Sequence, residues 1–174
     1  MKNIILIGYR GTGKSKIGKL LAKTLGKKFV DSDDEISLHE SKPIREIFKE
    51  KGEDYFRKVE EEVIEELCKQ EGIVLSCGGG VPTRAKNLEN IKKNSIVFLL
   101  TASPEKILSR IGEDKDRPRL TNEKTELGEI KKMLELRKAF YEKAADYVID
   151  SEHNDEQKKV KEIIEILNKE QVIK

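Results

Sequence analysis

Eight consecutive residues, Gly8-Tyr9-Arg10-Gly11-Thr12-Gly13-Lys14-Ser15, satisfy every fixed position of the phosphate-binding pattern G-x-x-x-x-G-K-[ST]. The residue types define the chemistry. Glycines let the backbone curl until its N–H groups converge on one anion, and a helix starting there adds the positive end of its dipole. A lysine so placed meets the outer phosphates of a nucleotide and a serine hydroxyl faces the metal ion that travels with it. On this reading Gly11, Thr12, Gly13, Lys14, Ser15 and Lys16 hold a nucleotide's phosphates, Lys14 acts on the outer phosphates, and Ser15 serves Mg²⁺.

Other stretches have chemistry to offer. Asp31-Ser32-Asp33-Asp34 closes a short apolar run, and carboxylates at the carboxyl end of a strand lie on the rim where open α/β sheets bind ligands. Asp31 and Asp33 share an outlook from that rim, one toward the metal and one toward a substrate hydroxyl, unless Asp33 joins Asp34 in capping the next helix; for Asp34 the cap is the preferred reading. Gly78, Gly79 and Gly80 follow Cys77; three glycines cost backbone entropy, so a small polar ligand is expected against the main chain there. Arg57 and Glu60 stand at i,i+3 beside an apolar stripe, which suits either a structural ion pair or half of a ligand clamp. Arg137 shares the stripe of Ile130, Met133, Leu134 and Tyr141, and an inward arginine demands an anion. In the charged run around Arg117-Pro118-Arg119, Leu120 is the only large apolar residue. That run reads as a mobile lid, with Arg117 stabilising charge on the transferring group, or as a plain solvated loop.

The elements that position these residues alternate strand and helix. Ile4–Ile7, Lys28–Asp31, Ile73–Ser76, Ile96–Leu100 and Asp146–Asp150 are short apolar runs suited to buried parallel strands. Helical spacing follows Ser15 through Ile17, Leu20, Leu21 and Leu25, and returns from Pro43 to Leu67 with a break near Gly52. Ser103-Pro104 is a helix start. Val160, Ile163, Ile164 and Leu167 mark a last amphipathic helix, assigned to packing alone. The expected fold class is α/β, a five-stranded parallel sheet flanked by helices in one domain over residues 1–174.

Composition excludes several classes. Lys+Arg is 35 and Asp+Glu 33, a balance that gives no basic surface for nucleic acid or membrane. Cys68 and Cys77 are the only cysteines, with no CxxC, so neither a disulfide framework nor a zinc site is indicated. No apolar run approaches the roughly 20 residues of a membrane span, and no leader precedes the first strand; a cytoplasmic monomer is expected. His39 and His153 are isolated, and neither N-K-x-D nor D-x-x-G is present, which argues against a nucleotide switch.

Together these landmarks resemble the shikimate kinases. The likeness runs from Ile4 to about Ile164 and is carried by Gly8 to Ser15, Asp31-Ser32-Asp33, Phe48, Phe56-Arg57 with Glu60, Gly78-Gly79-Gly80, Arg110, Arg117-Pro118 and Arg137. The resemblance implies a P-loop NTPase architecture, a three-layer sandwich like the nucleoside-monophosphate kinases with a mobile lid. It places an acceptor-binding helical segment at about 34–60 and the lid at about 111–125. It implies MgATP-dependent phosphorylation of the 3-hydroxyl of shikimate in the route to chorismate and the aromatic amino acids. Asp33, Arg57, Glu60, Gly78, Gly79, Gly80 and Arg137 would hold shikimate, with Phe48 and Phe56 near its ring. Arg110 would lie against adenine and Arg117 contact phosphate, while Asp31 stands behind the metal. A P-loop kinase of another small hydroxylated metabolite or of a nucleoside monophosphate is the alternative.

Overall fold

The structure is a computed structural model that describes residues 1–112, 121 and 123–172. Its strands are β1 (Asn3–Ile7), β2 (Phe29–Asp31), β3 (Val74–Ser76), β4 (Ser95–Thr101) and β5 (Tyr147–Asp150). Its helices are α1 (Lys14–Leu25), α2 (Ser32–Glu40), α3 (Ile44–Lys69), α4 (Ala85–Lys93), α5 (Pro104–Ile111), α6 (Glu126–Ala144) and α7 (Glu156–Lys169). The sheet runs β2-β3-β1-β4-β5 and every neighbouring pair is parallel. Parallel neighbours need a crossover at each step, and the helices supply it on both faces. All five strands therefore present their carboxyl ends along one edge, and every loop leading into a helix meets there.

Alternation along β1 shows why this sequence makes three layers. Ile5 and Ile7 join Val30, Leu75, Val97 and Leu99 under α2, α3, α4 and α6, where Ile36, Phe56, Ile64, Ile91 and Ala144 cover them. Ile4 and Leu6 join Val74, Ile96, Phe98, Leu100 and Ile149 on the opposite face, beneath Ile17 and Leu21 of α1 and Val160, Ile163 and Leu167 of α7. The register Ile4↔Val74 and Ile4↔Ile96 keeps residues of one face level. A one-residue slip would turn both sets to the wrong layer. No helix among the described residues is long and apolar enough to cross a membrane.

Several expectations are refined. The break in the long helical stretch falls at Gly52, with φ 80° and ψ 174°, values that an L side chain adopts only under strain. Asp34 is not the cap of α2: that place belongs to Asp31, whose carboxylate accepts from the Asp33 N–H at 3.0 Å. Asp34 lies in the first turn, where its charge suits the helix dipole. Ile111, taken as the start of the lid, completes α5. Arg117 and its neighbours at 113–120, with residue 122, lie outside the described residues. Helix α4 has no counterpart in the sequence reading, because its buried face is only Asn87 and Ile91, too short a repeat to show periodicity.

Candidate active site

The glycine loop joins β1 to α1, and Gly8, Gly11 and Gly13 hold φ of 138°, 78° and 91°. A Cβ added at Gly8 would stand 2.4 Å from the Leu100 carbonyl oxygen, so close packing on β4 excludes a side chain as firmly as the dihedral does. Around the loop, side chains bond back to main chain. Lys14 Nζ donates to the carbonyls of Gly8 at 2.8 Å and Tyr9 at 2.9 Å, Thr12 Oγ1 to Tyr9 at 2.7 Å, and Ser151 Oγ to Thr12 at 2.8 Å. Lys14 is buried, and its charge sits at the mouth of the curl. Ser15 Oγ donates to Asp31 Oδ2 at 2.7 Å, so Asp31 gives one oxygen to the loop and the other to the start of α2.

Arg110, from the last turn of α5, closes the far end. Its guanidinium donates to Gly11 O at 3.2 Å, Ser151 O at 2.5 Å and Asn154 Oδ1 at 2.8 Å. The resulting cleft has a volume of about 510 Å³ and is lined by Gly11 through Lys16, Asp31 and Arg110. Its wall also includes Ser151, His153, Asn154, Glu156 and Lys159, so α7 does more than pack. Sequence reasoning assigns no role to any of these five, since a lysine and a histidine in a polar stretch carry no periodic signal.

A second, smaller cavity of about 70 Å³ is lined by Asp33, Phe48, Phe56, Arg57, Glu60, Gly78, Gly79, Gly80 and Arg137. It therefore gathers every residue expected at an acceptor, and adds Tyr9, Arg10, Ile44 and Glu129. Phe48 and Phe56 meet with ring centroids 4.5 Å apart and form its apolar wall. Arg57 is a structural ion pair and a pocket residue at once: Nη1 donates to both Glu60 oxygens, at 3.1 and 2.9 Å, and Nη2 to Glu53 at 3.1 Å. Burial holds the Glu60 carboxyl above its ordinary value, and Arg57 offsets only part of that rise. Arg137 is 8% exposed and lies over the Tyr9 ring, 5.7 Å from its centroid.

The triple glycine lines this pocket, and the protein's own charged side chains also crowd its main chain. An added Cβ would stand 2.6 Å from Asp33 Oδ1 at Gly78, 3.0 Å from Arg137 Nη1 at Gly79 and 2.3 Å from Arg57 Nη1 at Gly80. Each glycine thus seats one charged side chain of the pocket, and Tyr141 Oη donates to Gly79 O at 2.8 Å to fix the turn. Tyr141 was legible as an apolar stripe position, while its hydroxyl, which needs a partner when buried, was the overlooked signal. The neighbouring Cys77 is buried, and burial holds its thiol well above the ordinary value; it is a thiol and not a thiolate ligand near neutral pH.

The two cavities share Arg10, Asp33, Gly78 and Gly79. A phosphate-binding cleft and a charged pocket therefore meet at one carboxylate. The sequence model of the family described as shikimate kinase matches residues 10–168. A shikimate kinase of Dehalococcoides mccartyi is 43% identical over 152 residues, 87% of this chain and 85% of the relative. One from Persephonella marina is 41% identical over 164 residues, 94% and 98% of the two chains. The solved structure of shikimate kinase from Acinetobacter baumannii in complex with shikimate superposes with a TM-score of 0.93 at 34% identity, covering 98% of this chain and 94% of that one. On this sequence and fold likeness, the chain belongs to the shikimate kinase family.

Proposed function

We propose that the two cavities bring ATP and shikimate together, and that the chain transfers the terminal phosphoryl group of ATP to the 3-hydroxyl of shikimate. The observation that carries this is the meeting of both cavities at Asp33. A hydroxyl seated in the smaller cavity beside that carboxylate faces phosphates seated in the larger. Asp33 orients the hydroxyl and accepts its proton as the bond to phosphorus forms. Lys14 neutralises charge on the outer phosphates, and the loop N–H groups hold them in line. Arg137 and Arg57 offer forked donors to the planar carboxylate of the acceptor, a geometry that lysines lack. Phe48 and Phe56 pack the ring.

Mg²⁺ fits the same arrangement. Among the described residues no group of three or more His, Cys, Asp or Glu could hold a metal alone, and Mg²⁺ in kinases is bound through phosphate, water and one or two protein oxygens. Ser15 Oγ and Asp31 Oδ2, 2.7 Å apart, are those oxygens. When bound, the ion would neutralise charge between the outer phosphates.

The test is a coupled assay of ADP release with ATP, Mg²⁺ and a panel of acceptors: shikimate, gluconate and a nucleoside monophosphate. Turnover with shikimate alone is the expected outcome. Preference for a nucleoside monophosphate would overturn the acceptor assignment, and turnover with GTP equal to ATP would overturn the base assignment.

A further inference from the structure

Helix α7 is the one wall of the nucleotide cleft whose contribution the phosphoryl-transfer reading does not use. Its buried stripe is Lys159, Val160, Ile163 and Leu167, and the apolar members pack with Ile17 and Leu21 of α1. Both helices leave the same edge of the sheet, α1 after β1 and α7 after β5, so their first turns lie side by side. Lys159 is one turn before Ile163 on that stripe, which sets it level with the first turn of α1, and it lines the cleft that Lys14, Ser15 and Lys16 line.

A lysine in that place needs an explanation. Lys159 is 6% exposed, and no hydrogen bond or ion pair holds its ammonium among the described residues. Yet its nitrogen is not one of the sealed, unpartnered atoms of the interior, so it keeps access to solvent through the cleft that it lines. The carboxylate one turn earlier, Asp155, accepts from the Lys158 N–H as the cap of α7. A surface lysine that merely lays its stem on apolar neighbours would show its head to bulk water, and so small an exposed area does not allow that. An ammonium with no protein anion, meeting solvent only at the cleft, favours a ligand that brings one there.

We infer that Lys159 is a further phosphate-facing cation of the nucleotide cleft, placed to pair with the phosphate nearest the nucleoside. The position follows from its neighbours. Lys14 points at the carbonyls of Gly8 and Tyr9 and serves the outer phosphates, while Arg110, Ser151 and Asn154 bound the nucleoside end. Lys159 stands on the helix that follows this second group and beside the turn that holds the first. The inference rests on the cleft binding a nucleotide and is independent of the acceptor.

The test compares wild type with Lys159→Met, which keeps the length of the stem and removes the charge, by calorimetric titration with ADP, AMP, adenosine and shikimate. Loss of a charge-assisted contact should weaken ADP and AMP about tenfold, with adenosine and shikimate held within about twofold. The melting temperature should not fall. If ADP binds wild type and variant equally, or if adenosine loses as much as ADP, Lys159 is not a phosphate ligand. Should the methionine variant be unstable, Lys159→Gln is read by the same ADP-to-adenosine ratio. Failure of wild type itself to bind ADP would sink the nucleotide reading of the cleft instead.

Discussion

In the nucleotide cleft most of the groups that face phosphate come from one uninterrupted loop, whereas the acceptor pocket is assembled from five separated places: the loop after β1, the start of α2, helix α3, the turn after β3, and the inward face of α6. The cleft is wide, about 510 Å³, and its loop side chains mostly bond back to main chain. The pocket is narrow, about 70 Å³, and four of its charges, Arg57, Glu60, Glu129 and Arg137, are buried. Backbone amides read any phosphate, so the cleft needs only the right curl. A pocket of buried charges discriminates, because a ligand that fails to pair any one of them leaves that charge desolvated and unmatched. Generic affinity for the donor and selectivity for the acceptor are therefore built from different materials.

The largest expected effect falls on the cleft. Lys14→Met removes the loop charge assigned to the outer phosphates and should lower kcat by about three orders of magnitude or more, with the melting temperature nearly kept. Steady-state kinetics beside a thermal melt checks this, and a folded variant with ordinary turnover would refute the phosphate-loop role. Next comes the carboxylate where the cavities meet. Asp33→Asn keeps the shape and loses the base, so kcat should fall by about 10²–10⁴-fold. Asp34→Asn is the control: Asp34 lines neither cavity and its replacement should leave kcat unaltered. Equal losses in both variants would make Asp33 a structural charge.

This difference in materials also decides what a sequence can show. The loop is legible because its residues are contiguous and their spacing is the mechanism. Arg137 is legible because helical periodicity carries it inward with Ile130 and Tyr141, all buried in the fold. The long helical stretch and its break are legible because a glycine interrupts an apolar stripe. Harder to see is the pairing of Gly78, Gly79 and Gly80 with Asp33, Arg137 and Arg57, since those contacts span the chain and obey no local period. Tyr9 and Glu129 enter the pocket by the same long-range packing. The Arg57–Glu60 pair was open between structure and function from its spacing. The fold gives it both characters, because the same guanidinium that binds Glu60 lines the pocket.

A smaller loss, confined to the pocket, is expected from Arg137→Ala. Truncating one member of a desolvated charge pair costs about 2–5 kcal/mol of binding, so shikimate affinity should fall by that amount while ADP affinity holds. Titrating wild type and variant against shikimate and its neutral carboxamide separates recognition from support. The mutation should cost far less with the carboxamide. Equal losses with both ligands, joined to a lowered melting temperature, would mean that Arg137 holds the fold and does not read the carboxylate.

The smallest effect comes from adding one methyl group, and it tests whether the two regions are separable at all. Gly80 has φ −92° and ψ −13°, ordinary for any residue, so Gly80→Ala brings no backbone strain. Its Cβ would stand 2.3 Å from Arg57 Nη1 and 2.9 Å from Nη2. The guanidinium is held by Glu60 and Glu53 and cannot step aside without loosening one of them. Overpacking of this kind costs about 1–3 kcal/mol of stability, and shikimate affinity should fall less than in Arg137→Ala, with ADP unaffected. Gly13→Ala is its mirror in the cleft. There the nearest atom to an added Cβ is 3.6 Å away, but φ is 91°, so the strain is conformational and falls on the loop. That variant should weaken ADP and spare binary shikimate binding. Titrating both variants with both ligands gives four affinities, and the crossed pattern requires each variant to lose one ligand and keep the other. If Gly80→Ala weakens ADP as much as shikimate, the turn after β3 positions the phosphate loop through Gly78 and Gly79, and cleft and pocket are one mechanical unit.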